Sequence, residues 1–278
     1  MEARFRPAQT ALRKGNLQSL NELLASEPDL ATAHSSCDHP TLMQCLVLDS
    51  PVHANLESMI RTLAEHGSEL TNPLIAAASI DNVRAVSELI DLGGNIEGNG
   101  VWSPLEEALY WVHPASVTLL LQRGVAVNNL RKAAGLGRLD VIANCFDEHG
   151  ALSALAGEIA SPFFGSHIPP QVRIDRLQII GNALIYAAAW GRIAVVDQLL
   201  ERGVDINIIP AGFDFAGTAL HYAALQGHRE MTEHLLNLGA DPTIVDTKVH
   251  TLPENWATHG GHDELAAYLK NKREQFTI

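Results

Sequence analysis

Short apolar stripes of helical period alternate with glycines along most of the chain. In "AALQGHREMTEHLLNLGADP" (223 to 242), two small residues, Ala223 and Ala224, are followed by Gly227, then by the apolar stripe of "MTEHLL", then by Gly239. The same order recurs upstream with Ala187 and Ala188, Gly191, "VVDQLL" and Gly203. A stripe of this kind predicts a helix with one buried face, and paired alanines let neighbouring helices approach closely. Glycines 191 and 227 fall where a first helix must end in a backbone conformation of positive φ. The pattern predicts helix-turn-helix units, each too small to bury its own apolar face.

The unit repeats. "TALHYAALQGH" (218 to 228) aligns with "NALIYAAAWGR" (182 to 192), "NNLRKAAGLGR" (128 to 138), "SPLEEALYWVH" (103 to 113), "NPLIAAASIDN" (72 to 82) and "LPENWATHGGH" (252 to 262). Weaker copies begin at 6 and 40, so the starts lie 34, 32, 31, 25, 54, 36 and 34 residues apart. An independent landmark agrees: Gly93, Gly124, Gly203 and Gly239 each fall 21 residues after Asn72, Ser103, Asn182 and Thr218. Thr218, Asn72 and Asn182 are placed to cap first helices, and Pro73 and Pro104 fit the first helical turn.

These residues resemble the ankyrin repeat, whose consensus reads T-P-L-H-x-A-A-x-x-G-H followed by a second helix ending in L-L-x-x-G-A-D. The resemblance is strongest from 182 to 270 and weakest over the first 70 residues. It implies an all-α ankyrin-repeat solenoid of about eight helix-turn-helix units, with one helical/loop insertion. The expected organisation is a single domain over 1–278, with degenerate repeats at 1–70, central repeats at 71–150, the insertion at 151–181, and regular repeats and a cap at 182–278. It also implies structural histidines: His228 and His262 at the Gly-His position, and His221 bonded to backbone or to the capping Thr218.

Departures from the repeat are where function is sought. The interval from 128 to 182 is about 21 residues too long; "LSALAGEIA" could extend a helix, "SPFFGSHIPP" reads as loop, and "QVRIDRLQII" as a short amphipathic helix. "PAGFDFAG" (210 to 217) enlarges a connection with two aromatic residues around Asp214, which serve either as a rim for ligand or as a staple between connections. In the resembling family the variable residues before Gly-His line the concave groove. Here they include Leu48, Ile80, Tyr110, Trp111, Leu136, Trp190 and Leu225, bordered by Arg13 and Lys14 at one end and His259 at the other. An apolar strip of that length is either a binding surface or covered by the insertion. The expected contact residues are Tyr110, Trp111, Leu136, Trp190 and Leu225, with Phe163, Phe164, Phe213 and Phe215 as rim or lid, and the expected partner is a protein or peptide segment. The alternative is a small-molecule binder or an enzyme, with a pocket between groove and insertion and with Asp214, His250 and His259 as its chemistry. Asp246, Glu106, Glu107 and His167 are further titratable groups expected near the groove or its connections.

Composition narrows the partners. The formal charge of -13, from 19 Lys and Arg against 32 Asp and Glu, opposes phosphate backbones and anionic membranes. Neither a nucleic acid nor a membrane partner is expected. The three cysteines show no CxxC spacing, and neither a signal peptide nor an 18-residue apolar run is present, so a cytoplasmic location is expected. Hydrophobic residues make up 46% of the chain, enough for a continuous core. "HGGH" (259 to 262) has ligand-like spacing and "CDHP" (37 to 40) pairs Cys with His, but neither sits in a recognisable metal or nucleophile motif. No metal and no cofactor are expected.

Overall fold

A computed structural model describes residues 3–35, 40–49, 53–161 and 168–276. Among them the regular elements are helices, with one isolated antiparallel bridge between Phe146 and Leu152. The chain divides into two compact units, residues 1–126 and 127–278. Unit 1 contains the helix pairs α1 (Arg6–Arg13) and α2 (Leu17–Ser26), α3 (Leu42–Asp49) and α4 (Leu56–Glu65), α5 (Thr71–Ala78) and α6 (Val83–Asp91), and α7 (Pro104–Tyr110) and α8 (Pro114–Gln122). Unit 2 contains α9 (Leu130–Leu136) and α10 (Leu139–Asn144), a single turn α11 (Pro170–Arg173), α12 (Arg176–Ala189) and α13 (Ile193–Leu200), α14 (Ala219–Leu225) and α15 (Arg229–Asn237), and α16 (Pro253–His259) and α17 (Asp263–Phe276). No helix among the described residues is long and apolar enough to cross a membrane.

Each unit is a stack. First helices pack on first helices, in the order α1, α3, α5, α7 in unit 1 and α9, α12, α14, α16 in unit 2. The alanines explain the close approach: Ala77, Ala78, Ala108, Ala133, Ala134, Ala187, Ala188, Ala223 and Ala224 have no exposed surface. Second helices supply the larger apolar groups, among them Leu89, Leu120, Val196, Leu199 and Leu235, none of which is exposed. The glycine register holds, since Gly93, Gly124, Gly203 and Gly239 all have φ between 83° and 96° at the ends of second helices.

The turn within each pair is set by a recurrent bond pattern. The amide of Arg192 reaches back to Ala187 O at 2.8 Å and that of His228 to Ala223 O at 3.0 Å; Asn82 and His113 bond Ala77 O and Ala108 O in the same way. The preceding residue must be left-handed, which Gly191 (φ 64°) and Gly227 (φ 69°) adopt without penalty. Asp81 (φ 56°) and Val112 (φ 57°) adopt it despite their side chains, and for a β-branched valine this is strained backbone. The side chain of the turn residue then ties its repeat to the one before. Asn82 Nδ2 donates to Val47 O at 3.1 Å and His113 Nε2 to Ser79 O at 2.8 Å; in unit 2, Arg192 Nε donates to Gly135 O at 3.1 Å and His228 Nε2 to Ala189 O at 3.0 Å.

Three local expectations need correction. Asn182 does not cap a helix: α12 begins six residues earlier, capped by Asp175, whose carboxylate accepts from Gln178 N at 2.9 Å. The amphipathic run expected within the insertion is continuous with the repeat's first helix, which leaves Asn182 buried in mid-helix, donating to Ala211 O at 3.0 Å. Gly181 sits in that helix because a Cβ there would lie 2.9 Å from Ile208. Asn72 is likewise inside α5, whose free amides at Thr71 and Asn72 are met by the Glu69 carboxylate at 2.6 and 3.0 Å. "LSALAGEIA" forms only a short 3-10 turn at Ala154–Ala156 and then an extended segment, because Gly157 takes φ 73° and Ile159 N bonds Arg173 O at 2.9 Å.

The turn geometry predicts opposite effects of two substitutions in chemical denaturation. Val112→Gly should raise stability by about 1 kcal/mol by relieving left-handed strain. Gly227→Ala should lower it by about 2 kcal/mol, because the new Cβ would also fall 2.5 Å from the His262 ring.

Candidate partner-binding surfaces

In unit 1 the start of α7 is fixed by a capping box. Ser103 Oγ accepts from Glu106 N at 3.2 Å, while Glu106 Oε2 accepts from Ser103 N at 3.0 Å and from its hydroxyl at 2.9 Å. This sets the register that places Glu107 between two tryptophans. Glu107, 5% exposed, accepts from Trp102 Nε1 on one oxygen and from Trp111 Nε1 on the other, the latter at 2.8 Å. Burial raises its pKa above the usual carboxylate value, and the Trp111 and Trp102 donors offset that only in part. Tyr110 stands nearly perpendicular to both rings, with centroids 6.4 Å from Trp102 and 5.1 Å from Trp111. Trp111 is nevertheless 41% exposed, and Ile80, in the same register just past the end of α5, is 39% exposed. Leu48 on α3 and Tyr110 are half-buried.

In unit 2, Leu136, Trp190 and Leu225 lie at the C-terminal ends of α9, α12 and α14 and are all half-buried. The Arg192 guanidinium lies 5.9 Å from the Trp190 ring. The described part of the insertion packs at the other ends of these helices: Gly157 lies against Asn129, the residue before α9, and Arg131 donates to Glu158 O. Ile159 and Ile179 are buried there.

The enlarged connection at 210–217 separates its two phenylalanines. Phe213 is 7% exposed, between Tyr186 at 5.4 Å and Tyr222 at 5.1 Å, and so staples connection to helices. Phe215 is 42% exposed, edge-on to Trp256 at 6.4 Å, with Lys248 Nζ 4.3 Å from its ring centroid. Tyr222 also packs on Trp256, at 5.1 Å. Tyr186, Tyr222, Trp256 and Trp102 were not singled out from sequence. Their only signal was the equivalent position of the two tyrosines in "LIYAA" and "LHYAA". Phe163, Phe164, His167 and Cys37 lie outside the described residues.

The other titratable groups named from sequence occupy separate places. Asp214 pairs with Lys248 at 2.5 Å. His250 is exposed in the next connection at φ 55°, and His259 is exposed at the far end of the seven-residue α16, roughly 10 Å along the helix from that connection. The connection itself is organised by Asp246, which has no exposed surface and accepts from the amides of Lys248, Val249 and Thr251, the Thr251 hydroxyl and Trp256 Nε1. Burial alone would raise its pKa; the Thr251, Val249 and Trp256 donors outweigh that and hold it well below the usual value. His221, also without exposed surface, is saturated by the fold. Its Nδ1 accepts from Thr218 N at 3.1 Å and pairs with the Thr218 hydroxyl at 2.9 Å, while Nε2 donates to Thr251 O at 3.2 Å. Among the described residues no group of three or more His, Cys, Asp or Glu side chains could hold a metal ion.

Residues 184–277 match the family model for ankyrin repeats, in three copies. Among curated proteins none matches the chain.

Burial holds the His221 pKa down to about 4, from an ordinary 6.5. The unfolded chain therefore binds more protons than the folded one between those values, and stability is lost as pH falls through that window. Unfolding free energy should drop by roughly 2 kcal/mol between pH 7 and pH 5. His221→Gln should be less stable at pH 7 and show a flatter dependence, measured by denaturation at both pH values.

Proposed function

We infer, from the premise that the chain is an ankyrin-repeat protein, that it recognises a protein or peptide segment through aromatic and aliphatic side chains at the ends of its first helices. Ankyrin repeats are protein-interaction scaffolds. The observation that carries the finer reading is that Trp111 and Ile80 in unit 1 keep 41% and 39% of their surface exposed. Leu136, Trp190 and Leu225 in unit 2 occupy the corresponding helix ends and keep part of their surface in solvent. Large apolar groups held on rigid helices lose little conformational freedom on binding, which suits them as anchors. With Tyr110 these are the proposed contact residues. Phe215 is the exposed aromatic of the enlarged connection and belongs with them; Phe213 acts by holding that connection, and Phe163 is retained from sequence alone.

The acidic charge of -13 weighs against nucleic acid and anionic membranes as partners. A reducing, cytoplasmic setting suits the buried thiol of Cys145, whose pKa is pushed up to about 11 by burial. The pairing of Asp214 with Lys248 and the separate positions of His250 and His259 favour recognition over catalysis.

Selection of a displayed random-peptide library on the whole protein tests this reading. Enriched peptides should carry apolar residues, and Trp111→Ala or Trp190→Ala should weaken them by about 2 kcal/mol, or roughly 30-fold, with the unfolding midpoint preserved. Peptides that bind both variants as well as the parent would refute the surface. A loss of roughly 3 to 5 kcal/mol of folding stability in either variant would reassign that residue to the core.

A further inference from the structure

Asn82, His113, Arg192 and His228 each give one side-chain N–H to a carbonyl of the preceding repeat. At three of these turns a side chain without permanent charge suffices. Arg192 differs, because it spends only Nε, on Gly135 O at 3.1 Å, and keeps both Nη groups and a full positive charge. Arg61, Arg84, Arg123 and Arg138 show the usual solution, each meeting a carboxylate at 2.6 Å. Among the described residues no acid pairs with Arg192, whose guanidinium has the Gly135 carbonyl and, 5.9 Å away, the Trp190 ring. Asp197, the acid nearest to it in sequence, is taken by His234 at 2.6 Å, and Asp140 by Arg138.

This cation is also held in place. A Cβ on Gly137 would lie 3.3 Å from Arg192 Cδ, so the arginine stem crosses the turn after α9 in the room that the glycine leaves. With its stem packed and Nε anchored, the guanidinium loses little freedom when its Nη edge is engaged. Apolar groups flank it. Leu139, two residues beyond Gly137, is 42% exposed, and Leu136 and Leu225 are half-buried at the ends of α9 and α14, the two first helices that pack on α12. Packed helices lie about 10 Å apart, so side chains a few residues apart on an extended segment can address neighbouring ends.

We propose that Arg192 receives the carboxylate of a Glu or Asp side chain in the partner segment, whose apolar neighbours seat on Leu136 and Leu139 to one side and on Leu225 to the other. The proposal rests on the protein-recognition reading above and names the chemistry of the partner. The Nη edge matches a carboxylate as a fork, with one N–H for each oxygen. The net charge of -13 opposes an acid at long range, so selection for one comes from this contact and its apolar flanks.

The probes are the peptide Ac-Leu-Ser-Glu-Ser-Leu-NH2, its counterparts with Gln or Lys at the centre, and Ac-Leu-Ser-Gln-Ser-Leu-OH, whose only carboxylate is the chain end. Each is titrated into the full chain at pH 8 while the Trp190 indole N–H resonance, assigned by its loss in Trp190→Phe, is followed by NMR. The Glu peptide should shift it saturably and bind at least about fivefold more tightly than the Gln peptide, with the Lys peptide weaker still. Arg192→Gln keeps an amide nitrogen at the same place along the side chain as Nε, so it should preserve the bond to Gly135 O and the unfolding midpoint. In that variant the Glu and Gln peptides should bind within about twofold of each other. If it unfolds, Arg192→His takes its place, since His113 and His228 make the same bond, and it should lose the preference at pH 8, where an ordinary imidazole is neutral. Equal binding of the Glu and Gln peptides to the parent, preference for Lys, tighter binding of the free-acid peptide, a Glu preference that survives substitution, or no shift with any peptide would overturn the proposal. So would a dimer of the chain that Arg192→Gln dissociates, which would give the surface to a second copy. Library peptides that require Trp190 but lack acidic residues would also overturn it while leaving the recognition reading in place.

Discussion

The carbonyl left without an intrahelical partner near the end of each first helix is the constraint on which the stack depends. A helix ends with four such acceptors, and in a close-packed stack water cannot reach all of them. In each unit the turn residue of the next repeat meets one of them. Asparagine, histidine and arginine all serve, at 2.8 to 3.1 Å, because each offers an N–H donor on a side chain that can span the gap. The requirement propagates into the backbone. To aim that side chain, the preceding residue must turn left-handed, which explains Gly191 and Gly227 and the strained Val112. Small residues on the first helices then follow from the short spacing that the bond imposes.

The residues just before these turns are under no such constraint. Their backbone caps the helix, but their side chains point past the packed face, so Trp111 and Ile80 retain exposure while adjacent alanines retain none. Structure and recognition are thereby divided within a few residues of one turn. Three histidines fall on the structural side of that division: His113 and His228 hold neighbouring repeats, and His221 links Thr218 to Thr251. Asp246 does for a connection what the turn residues do for helices, gathering backbone and indole donors on one buried carboxylate.

Much of this was legible in sequence, because turn geometry is local. A glycine required at positive φ leaves its mark wherever the repeat recurs, and Gly93, Gly124, Gly203 and Gly239 fixed the register without any contact being known. Asn182 misled for a physical reason. The upstream helix of the insertion fused with the repeat's first helix, so a residue at the usual cap position became an interior one and spent its amide on Ala211 instead. Of the aromatic network of Tyr186, Phe213, Tyr222 and Trp256, only the stapling role open to Phe213 was legible, since the rest is assembled from residues spread over 71 positions and depends on connections whose shape no local pattern specifies. Glu107 lay between: its presence near the surface was expected, whereas its capture by two indoles follows from the Ser103 cap and the rotation it gives α7.

The most direct test of this account is the unfolding free energy of His228→Ala set against that of His259→Ala. His228 supplies the bond to Ala189 O, while His259 is exposed on the next repeat. Removing the first should cost about 1 to 2 kcal/mol, because a carbonyl near a helix end loses its donor, and removing the second should change stability by less than about 0.5 kcal/mol. Equal effects of the two substitutions would contradict the claim that the turn residues hold the stack together.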